Sequence, residues 1–314
     1  MIDAIINDMP ITQGEAVAFI GALTDQEIFN LANKLRKQFN GERFSTCMIM
    51  NVKSGACTED CKWCAQSGQY HTRTPLYPLA STEDIVMSAA IPAKAGVNRF
   101  ALVGSGRKPS PNEVKQLVDS YKKLSSHYPE LKPCGSLGLA TESELKSLFD
   151  AGMQRYHCNI ETAPSLFSSL CTSHTIDDKV KTIKAAQAVG LTVCSGGIIG
   201  MGETEEQRIE MALFLRNLQV DSIPINILLP IKGTALENKP PLSELEILRA
   251  YALFKIFNPR ASIRFAAGRS LIKSVQSKAI ECGVSASIVG DMLTTVGSCL
   301  EEDMHYFSSK RELI

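Results

Sequence analysis

Cys57, Cys61 and Cys64 stand in the run GACTEDCKWCAQS, at C-x3-C-x2-C spacing. Three thiolates on one short loop can hold three irons of a [4Fe–4S] cube, and the fourth iron then stays open to a small molecule. The spacing therefore points to chemistry at an open iron rather than to a structural clip. Zinc is the other metal such thiolates hold, but a structural zinc takes four ligands, usually from a second C-x2-C or a His pair. His71, seven residues after Cys64, is the only candidate nearby.

Three more cysteines, Cys134, Cys158 and Cys194, each fall in a short strand-like segment. A single buried cysteine is an ordinary small hydrophobe. Three on consecutive strands, with Arg269 after a later strand, suggest a second metal centre. Cys47, Cys171, Cys282 and Cys299 have no clear partners and read as non-ligands; Cys171 lies in a polar stretch that suits exposure. The five histidines show no paired spacing for a metal, and His157 should face away from its neighbour Cys158.

Apolar strand-like runs alternate with amphipathic helical ones. The strands are expected at 47–52, 99–103, 132–137, 154–160, 192–199, 222–229, 262–266 and 286–289. Helices are expected at 82–95, 112–126, 142–151, 177–189, 205–217, 243–257, 269–282 and from 291 onward. Gly96, Gly152 and Gly190 sit where helices should end in left-handed caps. Eight strand–helix units predict an α/β fold, a (βα)8 TIM-type barrel over residues 41–314, with residues 1–40 as an N-terminal helical segment. An open doubly wound sheet is the alternative. In a barrel, function gathers at the C-terminal ends of strands, and the cysteine triplet follows the first strand as that rule requires.

The chain has 314 residues, 44% of them hydrophobic, and its 33 basic and 33 acidic residues balance. That balance gives no sign of nucleic-acid binding. Apolar runs are too short to span a membrane. The N-terminus lacks the basic and apolar regions of a secretory signal. Ten cysteines without an export signal predict thiols and metal ligands in a reducing, cytoplasmic setting.

The triplet, with an aromatic residue just before its last cysteine, resembles the signature of the radical S-adenosylmethionine (SAM) superfamily. Within it the chain resembles the biotin synthase family. The likeness runs from about Met48 to Asp303 through SGACTEDCKWCAQS at 54–67, NIET at 159–162, VCSGGIIGMGET at 193–204, PIN at 224–226, AGR at 267–269 and MLTT at 292–295.

The resemblance implies a [4Fe–4S] cluster on Cys57, Cys61 and Cys64 that binds SAM and yields a 5′-deoxyadenosyl radical. Trp63 would lie against adenine, Asn159 and Glu161 would meet the ribose hydroxyls, and Lys179 would face the methionine carboxylate. Gly196 and Gly197 would let backbone approach the adenosyl group. Glu161 stands where the family usually has Asp. Asn226 would meet the ureido ring of dethiobiotin, Arg99 would neighbour the second cluster, and Thr294 and Thr295 would lie near the substrate tail. The implied reaction abstracts hydrogen from two carbons of dethiobiotin and closes a thiolane ring with sulfur from an auxiliary cluster. Flavodoxin or ferredoxin would donate electrons, and a homodimer is expected.

One departure stands out. The family's better-known pattern has a cysteine on the second strand, where this chain has Ala101, which cannot ligate iron. Cys134, Cys158 and Cys194 are then expected to carry an auxiliary centre of [4Fe–4S] type, its fourth iron holding an added sulfide, Arg269 or substrate-derived sulfur. A displaced [2Fe–2S] centre on these cysteines and Arg269 is the alternative. A terminal sulfide could be donated without dismantling its cube, which would permit repeated turnover. The rival readings are another radical SAM enzyme, such as a hydrogenase-maturation enzyme or amino-acid mutase, and a non-enzymatic iron–sulfur carrier.

Overall fold

The computed structural model describes residues 1–41, 44–290 and 297–309. Among the described residues nine strands run β1 Ser45–Lys53, β2 Arg99–Gly104, β3 Lys132–Ser136, β4 Arg155–His157, β5 Thr192–Cys194, β6 Gly197–Ile199, β7 Ser222–Ile227, β8 Ser262–Phe265 and β9 Val284–Ile288. All pair in parallel, in the order β5-β4-β3-β2-β1-β9-β8-β7-β6, and Cys194 of β5 also pairs Ser222 of β7. That pairing closes the sheet. β5 and β6 are two halves of one stave, so the barrel has the eight parallel staves that the alternation predicts, and the open-sheet alternative falls.

Helices cover the outside because their sequences carry clear start signals. Glu142–Asp150, Glu205–Asn217 and Glu244–Phe257 begin at Thr141, Thr204 and Ser243, each hydroxyl capping a backbone N–H while the residue three on reaches back. Such a capping box contributes about 1 kcal/mol. The expected caps at Gly96, Gly152 and Gly190 do have positive φ, +72°, +108° and +93°. Pro164–Leu170, a helix the periodicity did not announce, precedes Ile176–Ala188. The segment expected as one helix at 269–282 is a 3-10 turn, Arg269–Val275, followed by Gln276–Glu281.

The N-terminal residues form Ile2–Ile6, Gln13–Gly21 and Asp25–Asn40. They are tied to the barrel's outer helices: Arg216 donates to the carbonyls of Ala4 (3.0 Å) and Phe257 (3.0 Å), and Arg249 pairs with both Asp25 and Glu205. Among the described residues no helix is long and apolar enough to cross a membrane.

Register decides what faces the lumen. Residues paired across parallel strands point to the same face, and neighbours in a strand alternate. Cys134 pairs with Arg155 and His157 with Cys194, while Gly135 pairs with Tyr156. The Tyr156 side chain lies in the outer core with Leu145, Leu148 and Ile183. The lumen therefore receives Cys134, Arg155, His157 and Cys194.

Candidate active site

The cysteine triplet occupies the loop after β1. Backbone bonds fold it on itself: Cys57 N to Gln66 O (3.1 Å), Gly68 N to Cys57 O (2.7 Å) and Cys64 N to Cys61 O (3.0 Å). A second segment, 170–174, clamps it from outside. Lys62 N donates to Leu170 O (3.0 Å), and the Asp60 carboxylate accepts from the backbone of Thr172 (2.9 Å) and Ser173 (3.0 Å). The Thr172 hydroxyl and these amides hold Asp60 well below the usual carboxylate range. Nδ1 of His174 donates to Glu59 (2.6 Å), which Arg107 also pairs at 3.2 Å. Glu59 and Asp60, the acidic pair between the first two cysteines, are thus the handles by which the loop is gripped. Sequence reasoning passed them over. Cys171 belongs to this clamp: it is buried, not exposed, with its sulfur 3.6 Å from that of Cys61.

Burial pushes the Cys64 thiol up to about 11, against the pull of nearby backbone amides, and raises Cys61 as well. Buried thiols of this kind are stable as thiolates only with a cation among them, which is what bound iron supplies.

The residues expected to hold SAM line one cavity of about 300 Å³ together with the triplet: Trp63, Asn159, Glu161 and Lys179 are all in its wall. Their placement is not that of a regular strand. β4 ends at His157, and Glu161 has φ +71°, so strand alternation is not what aims it. Instead its backbone is bonded on both sides, to Gly196 O (3.1 Å) and from Ile198 N (2.8 Å). Lys179 is buried in the helix Ile176–Ala188, with its ammonium 4.0 Å from Glu161. Burial lowers its pKa, but Glu161 and Cys158 outweigh that and raise it overall. Gly196 and Gly197 make close approaches to neighbouring backbone: a Cβ on Gly196 would lie 2.0 Å from Pro224 O, and one on Gly197 2.4 Å from Glu161 O. Both positions therefore require glycine for the packing of neighbouring backbone. Gly196 N donates to Asn159 Oδ1 (3.1 Å), which fixes that amide.

The lumen thiols are Cys47, Cys134 and Cys194. Each is buried; Cys134 and Cys194 both act on the Cys47 thiol, and Arg264 and Arg155 act on all three. Cys158 is not among them. It lies just past the end of β4, against the outer core and in the wall of the triplet's cavity, with its sulfur 3.9 Å from Lys179 O. Cys47, read as a non-ligand, takes its place: β1 pairs Cys47 with Arg99 and Ile49 with Ala101, so its thiol packs beside Ala101 and Cys134. Arg99 reaches Cys134 Sγ at 3.8 Å.

From the last strands, Arg264 of β8 reaches this level with Arg155, and Arg269 does not. Arg264 is 1% exposed and donates to Ser287 O (2.9 Å) and Ser45 O (3.2 Å). Arg269 follows a left-handed Gly268 that ends the strand's path, and it pairs instead with Asp303 (2.6 Å) and Ser298 (2.6 Å) on the C-terminal segment. His157 joins the lumen set, interacting with Cys134 and Cys194. Burial raises the Cys194 thiol, but His157, Arg155 and Arg264 more than offset it and bring it to about 6.

A second cavity, about 280 Å³, adjoins the first. Its wall brings Trp63 and Cys64 together with His157, Arg264 and Asn226. It shares Trp63, Cys64, His157, Asn159 and Glu161 with the first cavity. Asn226 uses part of its amide on backbone, donating to Gly197 O (3.1 Å) and accepting from Ala267 N (3.2 Å), which leaves one N–H and one lone pair. Thr294 and Thr295 lie outside the described residues.

The arrangement has close counterparts. The radical SAM superfamily matches residues 51–215, and the biotin and thiamin synthesis associated domain matches 224–310. Biotin synthase of Porphyromonas gingivalis is 50% identical over 301 residues, covering 96% of this chain and 91% of that one. Biotin synthase of Parabacteroides distasonis is 46% identical over 301 residues, covering 96% and 92%. In fold, the chain resembles methylornithine synthase (TM-score 0.79, 17% identity, covering 99% of this chain and 95% of that one). It also resembles the FeFe-hydrogenase maturase HydG of Carboxydothermus hydrogenoformans (TM-score 0.78, 17% identity, covering 98% and 77%). The structural likenesses speak to the barrel alone; the sequence likenesses, spread over nearly the whole chain, separate it from the maturase, mutase and carrier readings. The chain belongs to the biotin synthase family of radical SAM enzymes.

Proposed function

We propose that the chain converts dethiobiotin to biotin, with SAM bound at Cys57, Cys61 and Cys64 and an auxiliary iron–sulfur centre held in the lumen by Cys47, Cys134 and Cys194. The observation that carries this reading is a cavity whose wall joins Cys64 of the triplet to Ala101, His157 and Arg264, the residues that surround the buried lumen thiols. A substrate lying there faces both a source of radical and a source of sulfur. When bound, the first group supplies a 5′-deoxyadenosyl radical and the second supplies sulfur.

The chain's own residues then have distinct tasks. Glu59 and Asp60, held by the 171–174 segment, fix the triplet loop. Glu161 and Asn159 offer hydrogen-bond partners to ribose hydroxyls, and Lys179 offers a cation to a carboxylate. The spare N–H and lone pair of Asn226 suit a ureido group. Ile49, Val103, Ile198 and Leu228 line the remaining wall and keep water from a radical.

Three lumen thiolates suit a cubane whose fourth iron carries a different ligand, such as an added sulfide; a [2Fe–2S] centre on the same thiolates is the second form. Arg264, Arg155 and Arg99 offset the negative charge of either. A flavodoxin or ferredoxin is the expected electron donor and the assembly a homodimer, in a cytoplasmic setting. The test is anaerobic reconstitution with iron and sulfide, then assay with SAM, reductant and dethiobiotin. Biotin and 5′-deoxyadenosine are expected together, with more than one biotin per chain when sulfide is supplied. Cleavage of SAM without biotin would overturn the substrate; a ceiling of one biotin would overturn the cubane with added sulfide.

A further inference from the structure

We propose that His157 is the nitrogen ligand of the auxiliary centre, its imidazole closing the coordination that Cys47, Cys134 and Cys194 leave open. The proposal rests on the reading that iron–sulfur chemistry occupies these thiols.

Four observations carry it. The register of β4 against β5 sets His157 directly beside Cys194, and its side chain interacts with both Cys134 and Cys194. Its Nε2 is sealed from solvent and has no hydrogen-bond partner among the described residues. A buried polar atom left bare costs on the order of 1–3 kcal/mol, so such a nitrogen calls for an occupant. The arginines at this level are not ligands: Arg99 and Arg155 act on the thiols as cations, and Arg264 is committed to hydrogen bonds. Arg264 donates to Ser287 O (2.9 Å), Ser45 O (3.2 Å) and Ser222 Oγ (3.4 Å). A protonated guanidinium also has no lone pair to give, whereas a neutral imidazole has one. Finally, no fourth thiol joins this cluster: the second-strand position is Ala101, and Cys158 packs against Lys179 O in the wall of the triplet's cavity.

The ligand set is thus three thiolates and one imidazole. The imidazole binds through the lone pair of Nε2 and keeps its proton on the other ring nitrogen. No redox change is involved. Exchange of thiolate for imidazole lessens the negative charge of the centre and raises its potential, as histidine ligation does in two-iron centres. A neutral ligand is also the one that sulfide can displace most readily. His157 lines both cavities, so the iron it holds would stand at the wall that substrate reaches.

The experiment uses the full chain with Cys57, Cys61 and Cys64 changed to Ala, so that only the auxiliary centre loads iron. Protein grown with ¹⁵N-histidine is reconstituted anaerobically, reduced, and examined by pulsed EPR. The expected result is a directly bonded nitrogen whose splitting changes with the ¹⁵N label and vanishes in His157→Ala. His157→Cys should retain the iron, lose the nitrogen splitting and show a lower midpoint potential. Excess sulfide should also remove the splitting. An iron-loaded protein with no bonded nitrogen, or with one indifferent to the histidine label, overturns the ligand while leaving the centre intact. Failure of the triple variant to load iron, with His157→Cys equally empty, overturns the centre itself.

Discussion

Cys47 and Cys158 carry opposite expectations. If Cys47 is a lumen ligand and Cys158 an outer-core thiol, Cys47→Ala should lower the iron of reconstituted protein from about eight per chain to about four, while Cys158→Ala should leave it near eight. Iron and acid-labile sulfide content, with Mössbauer spectra, reads this directly; iron lost from Cys158→Ala and kept by Cys47→Ala would reverse the assignment. The cysteines that could hold metal were legible in the sequence, but not which face each presents. Strand periodicity fixes alternation and leaves its phase open. The neighbours of Cys158 contained the missing clue: Tyr156, two residues before it, is too large for a lumen already holding three arginines, and it packs outside. The same slip exchanged Arg264 for Arg269. An arginine inside an apolar strand, as in SIRF, was the better candidate for a buried cation than one after a glycine.

At the scale of elements, the strand–helix alternation was legible because caps and hydrophobic period agreed, and 205–217 emerges as Glu205–Asn217 without change. The fifth stave was legible in extent, at 192–199, but its interruption was not. Its break between β5 and β6 depends on Ser195 and Gly196, where Pro224 O presses too close for any side chain. No local signal announces such a contact. Gly197 is the sharper test, since a Cβ there would meet Met211 Cε at 2.3 Å and Glu161 O at 2.4 Å. Met211 can swing away, but the Glu161 carbonyl is bonded to Ile198 N and cannot yield alone. Gly197→Ala should therefore cost about 1–3 kcal/mol and displace Glu161. Thermal unfolding should show the loss, and calorimetric titration should show weaker SAM binding. Unchanged affinity in a destabilised variant would mean that Glu161 does not grip the ligand.

On the scale of the whole molecule, the N-terminal helices and the barrel meet around a buried lysine that no reading of periodicity could supply. Lys255 is 0% exposed; its ammonium contacts Asn40, at the end of the N-terminal helical segment, and the carbonyls of Pro259 (2.7 Å) and Ala261 (3.1 Å). Burial, aided by the positive charge of Arg36, lowers its pKa to about 7. In the unfolded chain a lysine titrates near 10.4. Between these values the unfolded chain holds a proton that the folded one has released, so unfolding free energy rises with pH across that window. Below about pH 7 both states are charged and the folded state bears the full cost of burying the ammonium. Lys255→Met removes this titration but leaves three acceptors bare, a penalty independent of pH. Denaturant midpoints of the two proteins, compared at pH 6.5, 8 and 9.5, should diverge steadily in favour of the wild type as pH rises. A constant gap would show that the three acceptors keep Lys255 charged in the fold, and that the docking of the N-terminal helices rests on an ammonium rather than an amine.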